Sequence, residues 1–170
     1  LTNSFPPKDK IEINEFNNFK INYLKKNGDL KLIKKFLIKN NNFNSNETII
    51  QKYLDTNLIS GDEETSCKLF DEVNLNYSDD YIDKFKIYCL IQNNKNEEAQ
   101  LLYDLKKELN FVDNFFENKF NILMGYTDNN LEKFSENSVL DFHLSRISNP
   151  NFEYIPQQTT PKFIWKYLSS

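Results

Sequence analysis

Few residues in this chain of 170 have types and spacings that could do chemistry. It has two cysteines, Cys67 and Cys89, and one histidine, His143. A lone histidine cannot build the usual zinc cluster, and no serine or cysteine is spaced to form a triad with it. In DFHLSR, His143 lies between Phe142 and Leu144 and reads as a helix-surface or partly buried side chain. Carboxylates cluster at Asp62, Glu63 and Glu64, at Asp79, Asp80 and Asp83, and at Glu97 and Glu98. Acid–base work of the glycosidase kind needs carboxylates converging in a pocket. Most of these instead fall in the first turn of an expected helix, where the positive end of the dipole favours them. Asp55, Asn57 and Gly61 loosely imitate a calcium loop, but Ile59 stands at the fifth position and the glycine is seventh, not sixth. Three glycines do not make a phosphate-binding loop. No catalytic residue, metal site or cofactor is therefore expected.

The cysteines are the most informative pair. Cys67 is expected near the start of one helix and Cys89 near the end of the next, equidistant from a turn near Ser78. In an antiparallel hairpin they lie side by side. A disulfide needs Cα atoms within about 7 Å, closer than the usual 8–10 Å between helix axes, so a bridge and two packed free thiols both stay open. A bridge would imply an oxidising compartment such as a bacterial periplasm.

The elements that carry these residues read as helices. Gly and Pro are scarce, at 3 and 5, and nothing breaks helices strongly between about 11 and 149. Sustained two-residue alternation is almost absent, which disfavours strands. Apolar residues instead recur at helical spacing: Phe16, Phe19, Tyr23 and Leu24; Leu30, Ile33, Leu37 and Ile38; Ile49, Ile50, Tyr53, Leu54 and Leu58. Tyr81, Phe85, Tyr88 and Cys89 follow, then Leu101, Leu102, Leu105 and Leu109, then Phe115, Phe116, Phe120 and Leu123. Each stripe predicts an amphipathic helix.

Turns recur at a fixed interval. Gly28 and Gly61 stand 33 residues apart, and the same step reaches Asn94 and Thr127. Gly or Asn there suits a left-handed C-cap, and the Asp or Asn that follows can cap the next helix. Two helices per 33–34 residues mark an α-solenoid. SGDEETS (60–66) and NNKNEEA (93–99) resemble the turn of the tetratricopeptide repeat, over roughly residues 11–136. The family places small residues where its helices touch, and Ile33, Ser66, Ala99 and Glu132 occupy that position here. The Trp, Gly-Tyr and closing Pro of the usual pattern are missing, and an irregular helical repeat or a plain bundle is the alternative.

The expected architecture is all-α: a linker at 1–10, TPR-like hairpins over 11–136, and C-terminal helices over 137–170. The hairpins are 11–27 with 29–41, 46–59 with 61–75, 79–93 with 95–109, and 112–125 with 128–136. Helices at 137–148 and 159–170 follow, separated by an extended loop, with Thr160 as N-cap and Pro161 at the first helical position. The final stretch holds Phe163, Ile164, Trp165, Tyr167 and Leu168, so it either folds back as a cap or awaits a further repeat. Leu1 in place of Met reads as a trimmed chain.

A net charge of −4 argues against a nucleic-acid partner. No apolar run reaches the roughly 18 residues of a membrane span. Ala99 and Arg146 are the only residues of their types beside abundant Asn, Lys and Ile, the bias of AT-rich codons. The chain reads as bacterial, with periplasm favoured over cytoplasm. The resemblance implies a non-catalytic module that binds a peptide or partner protein in a groove formed by the first helix of each repeat. Asn18, Asn22, Lys52, Lys84 and Asn118, on the polar sides of those helices, are the candidate contacts. The alternative is a segment of a larger bacterial envelope assembly, with Phe163, Trp165 and Tyr167 as exposed interface anchors.

Overall fold

The structure, a computed structural model, describes residues 4–6, 11–27, 29–40, 47–73, 79–128 and 134–170. Among them the chain is all-helical, with nine helices and no strand. These are α1 (Ile13–Asn27), α2 (Leu30–Lys39), α3 (Glu47–Ile59), α4 (Glu63–Glu72), α5 (Asp80–Gln92), α6 (Asn96–Glu108), α7 (Asn114–Leu123), α8 (Val139–Ile147) and α9 (Lys162–Leu168). The chain divides into two compact units, Leu1–Asn57 with Glu63–Asp79, and Leu58–Asp62 with Asp80–Ser170.

The helix starts are periodic along the sequence. α1, α3, α5 and α7 begin at 13, 47, 80 and 114, and α2, α4 and α6 begin at 30, 63 and 96. Three positions 33 residues apart, Ile33, Ser66 and Ala99, are all fully buried.

The helix ends explain the interval. Gly61 and Asn94 hold φ of 72° and 58°. After α5, the N–H of Asn94 donates to Ile91 O and that of Lys95 to Leu90 O, each at 2.9 Å, which closes a Schellman cap. Asn110 and Gly125 make the same closure after α6 and α7, with φ of 65° and 74°. The turn expected at Thr127 is therefore made two residues earlier, by Gly125. Gly28 lies outside the described residues. The Asp of the first Gly-Asp pair caps as expected: Asp29 accepts the N–H groups of Lys31 and Leu32 at 2.9 and 3.1 Å.

In the first unit, Ile33, Phe36 and Leu37 of α2, Ile49, Ile50, Tyr53 and Leu54 of α3, and Leu69 of α4 are buried. Ser66 Oγ donates to Leu54 O at 3.1 Å, so its hydroxyl is satisfied inside the core. Lys34 of α2 meets Glu72 of α4 at 2.6 Å, and this bond raises the Lys34 ammonium above its ordinary pKa. α1 departs from its expected phase. Its inward residues are Asn17, Lys20, Ile21 and Leu24, whereas Phe19 is 63% exposed and Tyr23 is also exposed. Lys20 can face inward because its amine donates to Ser4 O at 2.7 Å and lies 4.6 Å from the Phe16 ring centre, leaving its stem to pack.

In the second unit α5 is central, burying Ile82, Lys84, Phe85, Ile87, Tyr88 and Cys89. It packs on α6 and α7, α7 packs on α8, and α8 on α9. Tyr103 of α6 lies against Phe116 and Phe120 of α7. Lys106 of α6 meets Asp80 and Asp83 of α5 at 2.9 and 2.7 Å. Burial pulls the Lys106 ammonium down, and the two carboxylates more than offset that, leaving its pKa raised.

The helix expected at 128–136 is corrected at its described residues: Asp128 and 134–136 are not helical, and 129–133 lie outside the description. The polar groups of the segment go to α8 instead. Ser135 N–H donates to Ser145 Oγ, Ser135 Oγ donates to Asp141, and Ser138 caps α8 by accepting the Asp141 N–H at 3.0 Å. Thr160 is likewise not the N-cap of α9. Pro161 takes that position, and Thr160 Oγ1 accepts the Gln157 N–H at 2.9 Å within the preceding turn.

Candidate functional site

Besides Lys106 with Asp80 and Asp83, titratable side chains of the second unit converge around Lys84 and around His143. Lys84 of α5 lies 2.9 Å from Asp113, the N-cap of α7, and 3.4 Å from Asp141 of α8. One buried cation thus meets carboxylates from two other elements. Burial alone would push the Asp113 carboxyl up. The Phe116 N–H and the Lys84 ammonium outweigh it and hold Asp113 below its ordinary pKa. The second cluster is His143, buried, with Nε2 2.9 Å from the Tyr88 hydroxyl and Nδ1 2.7 Å from the Tyr167 hydroxyl. Both rings also meet the imidazole edge-on. A histidine enclosed by two phenols is positioned to join α5, α8 and α9.

Lys119 of α7 is a third buried titratable group, 1% exposed. Desolvation lowers its pKa, and its ammonium lies 5.5 Å from the Phe115 ring centre. Among the described residues no group of three or more His, Cys, Asp and Glu is placed to hold a metal ion. No described helix is long and apolar enough to cross a membrane. Cys67 and Cys89 are each disulfide-bonded.

The candidate partner contacts fall in different settings. Asn18 and Asn22 are exposed on α1. Lys52 is half-buried on α3, and its amine donates to the Lys25 carbonyl. Lys84 is buried in the ion cluster, so it is not the surface contact that the polar face of α5 predicts. Asn118 is half-buried, with an Oδ1 that is buried and accepts no hydrogen bond among the described residues. Of the expected C-terminal anchors, Trp165 is exposed and Phe163 half-buried. Tyr167 is buried against His143 and Phe142, which corrects its expected place on the surface.

One open apolar face in the second unit is a stripe that the sequence assigned to the core. On α6, Leu101 is 72% and Leu105 49% exposed, and Leu109, the C-cap of the helix, is 66% exposed. The buried face of the helix is Ala99 and Tyr103. Glu97, Glu98, Asp104 and Glu108 are exposed on the same helix. Beside it lies a cavity of about 390 Å³ lined by Glu97, Gln100, Leu101, Asp104, Met124 and Tyr126, among others. The Tyr126 hydroxyl donates to Gln100 Oε1 at 3.0 Å, and Gln100 Nε2 donates to Asp104 at 2.8 Å, which fixes the wall of that cavity. The signal for this face was present in the sequence. If Ala99 is the small contact residue, Leu101 and Leu105 lie about 160° and about 120° around the helix from it and cannot also face inward.

No protein-family model matches the chain, and no curated protein or solved structure is significantly similar to it.

Proposed function

We propose that the chain is a non-catalytic protein–protein interaction module built from TPR-like helical hairpins. The observation that carries this reading is the interval of the helices: starts 33 or 34 residues apart, with a fully buried residue at each of positions 33, 66 and 99. Helical repeats at that interval bury one face and leave the other free for a partner. The packing of α5 on both α6 and α7 fits the same scheme, in which a first helix touches its own partner helix and the next first helix. A binding role also leaves the buried groups explained, since Lys84 and His143 have internal partners that account for them. Asn18, Asn22, Lys52 and Asn118 stay as proposed contacts, and Trp165 as a proposed anchor.

A second reading, a structural segment of a bacterial envelope assembly, draws on the disulfide-bonded cysteines, which fit an oxidising compartment such as a periplasm. Outward aromatics at Phe19, Tyr23 and Trp165 would then be assembly contacts. Tagged capture of the chain from its own cells, with crosslinking at low salt, tests both. One or a few stoichiometric proteins are expected, and their compartment separates the readings. A blank capture contradicts both.

A further inference from the structure

We propose that the outer face of α6 docks a cationic amphipathic helix from another protein. The inference deepens the interaction reading and rests on it, but it names a different surface from the first-helix contacts above. The physical case is the combination of apolar side chains, charge and shape on one rigid element. Leu101 and Leu105 of α6 and Leu109, its C-cap, follow one another at four-residue steps and are 72%, 49% and 66% exposed. Side chains at that step form a ridge along a helix, the kind that packs into the groove of a second helix. Around the helix, Glu97 stands in the same row as the leucines, Asp104 and Glu108 flank one side of it, and Glu98, which pairs with Lys95 at 3.9 Å, flanks the other. The helix's own cations are committed elsewhere: Lys106 to Asp80 and Asp83, and Lys107 to Glu117.

That charge pattern selects the occupant. A second copy of this chain would set these carboxylates against themselves, and an anionic lipid surface would set them against phosphates. A partner helix with leucine-type residues on one face and Lys or Arg along its edges satisfies both features. The cavity between Leu101, Met124 and Tyr126 has an apolar wall and two carboxylates at its rim, Glu97 and Asp104. It therefore suits a side chain with an aliphatic stem and a cationic head.

The test uses the full chain and fluorescein-labelled helical peptides read by anisotropy. One peptide carries leucines at four- and three-residue steps with flanking lysines. A second has the lysines replaced by glutamates, and a third has the first one's composition scrambled so that no apolar face forms. The expected result is at least tenfold tighter binding of the first peptide than of either control. Leu101→Lys with Leu105→Lys should abolish the difference, and Glu97→Lys with Asp104→Lys should shift preference toward the glutamate peptide. Both pairs are exposed, and far-UV circular dichroism checks that each variant keeps its helices. Equal binding of the scrambled peptide, indifference to the α6 variants, no binding of the lysine peptide, tighter binding to anionic vesicles, or self-association through α6 would each overturn the proposal. Failure here, beside a cellular capture that still yields a stoichiometric partner, removes the α6 site and leaves the interaction reading standing. A blank capture removes that reading.

Discussion

At the residue scale, the buried charges sort by whether they have a counter-ion. Lys84 has two, so removing it leaves Asp141 buried without the cation. Lys84→Ala should destabilise by roughly 3–5 kcal/mol in urea unfolding. Asp113 has its folded pKa below the ordinary 3.8, so its contribution is present above that value and is lost as pH falls through the folded pKa. Asp113→Asn should therefore flatten the loss of stability below about pH 4, measured by acid titration of the helical signal. Lys119 is the opposite case, with no carboxylate beside it among the described residues. Burial lowers its pKa below 10.5, so its charge opposes folding at neutral pH, and stability rises as pH climbs from the folded value toward 10.5. Lys119→Met should raise stability by about 1 kcal/mol at pH 7 and remove that alkaline rise. These roles were not legible in the sequence. Lys84 and Lys119 look like any other lysine until helix phase places their stems inside, and His143 shows its two phenols only once α5 and α9 are placed beside α8.

At the element scale, turn chemistry was the most readable signal. Gly and Asn after an apolar run located the caps at Gly61 and Asn94, since few other residues tolerate positive φ. Gly61 has open space where a Cβ would go, so Gly61→Ala meets only the backbone penalty and should cost roughly 1–2 kcal/mol in denaturant unfolding. Asn94→Gly should be neutral or slightly stabilising in the same experiment. Helix phase was less readable. Aromatic and leucine content marked the stripes on α1 and α6, yet Phe19, Tyr23, Leu101 and Leu105 point outward while Asn17, Lys20 and Ala99 point inward. Hydropathy gives the period of a helix but weighs an exposed leucine and a buried one alike, and lysine stems can take core positions. The stretch at 134–136 failed for a different reason: the Ser135 N–H donates to Ser145 and its hydroxyl to Asp141, residues that no local pattern connects to it.

At the scale of the whole molecule, all-helical character followed from scarce Gly and Pro and absent alternation, and the 33-residue interval followed from the turns. The proposed docking surface did not, because it depends on which apolar residues remain outside after the helices pack. Cys67 and Cys89, each disulfide-bonded, add a covalent constraint. Cys67→Ser with Cys89→Ser should cost about 3 kcal/mol, and dithiothreitol should lower the thermal midpoint of the parent chain but not of the double variant. The central claim is that this chain works by binding a protein. Crosslinking mass spectrometry on the complex captured from its own cells tests it most directly. The account predicts a stoichiometric partner whose crosslinks cluster on the outward faces of particular helices, α6 among them. Crosslinks scattered over many sub-stoichiometric proteins would contradict it.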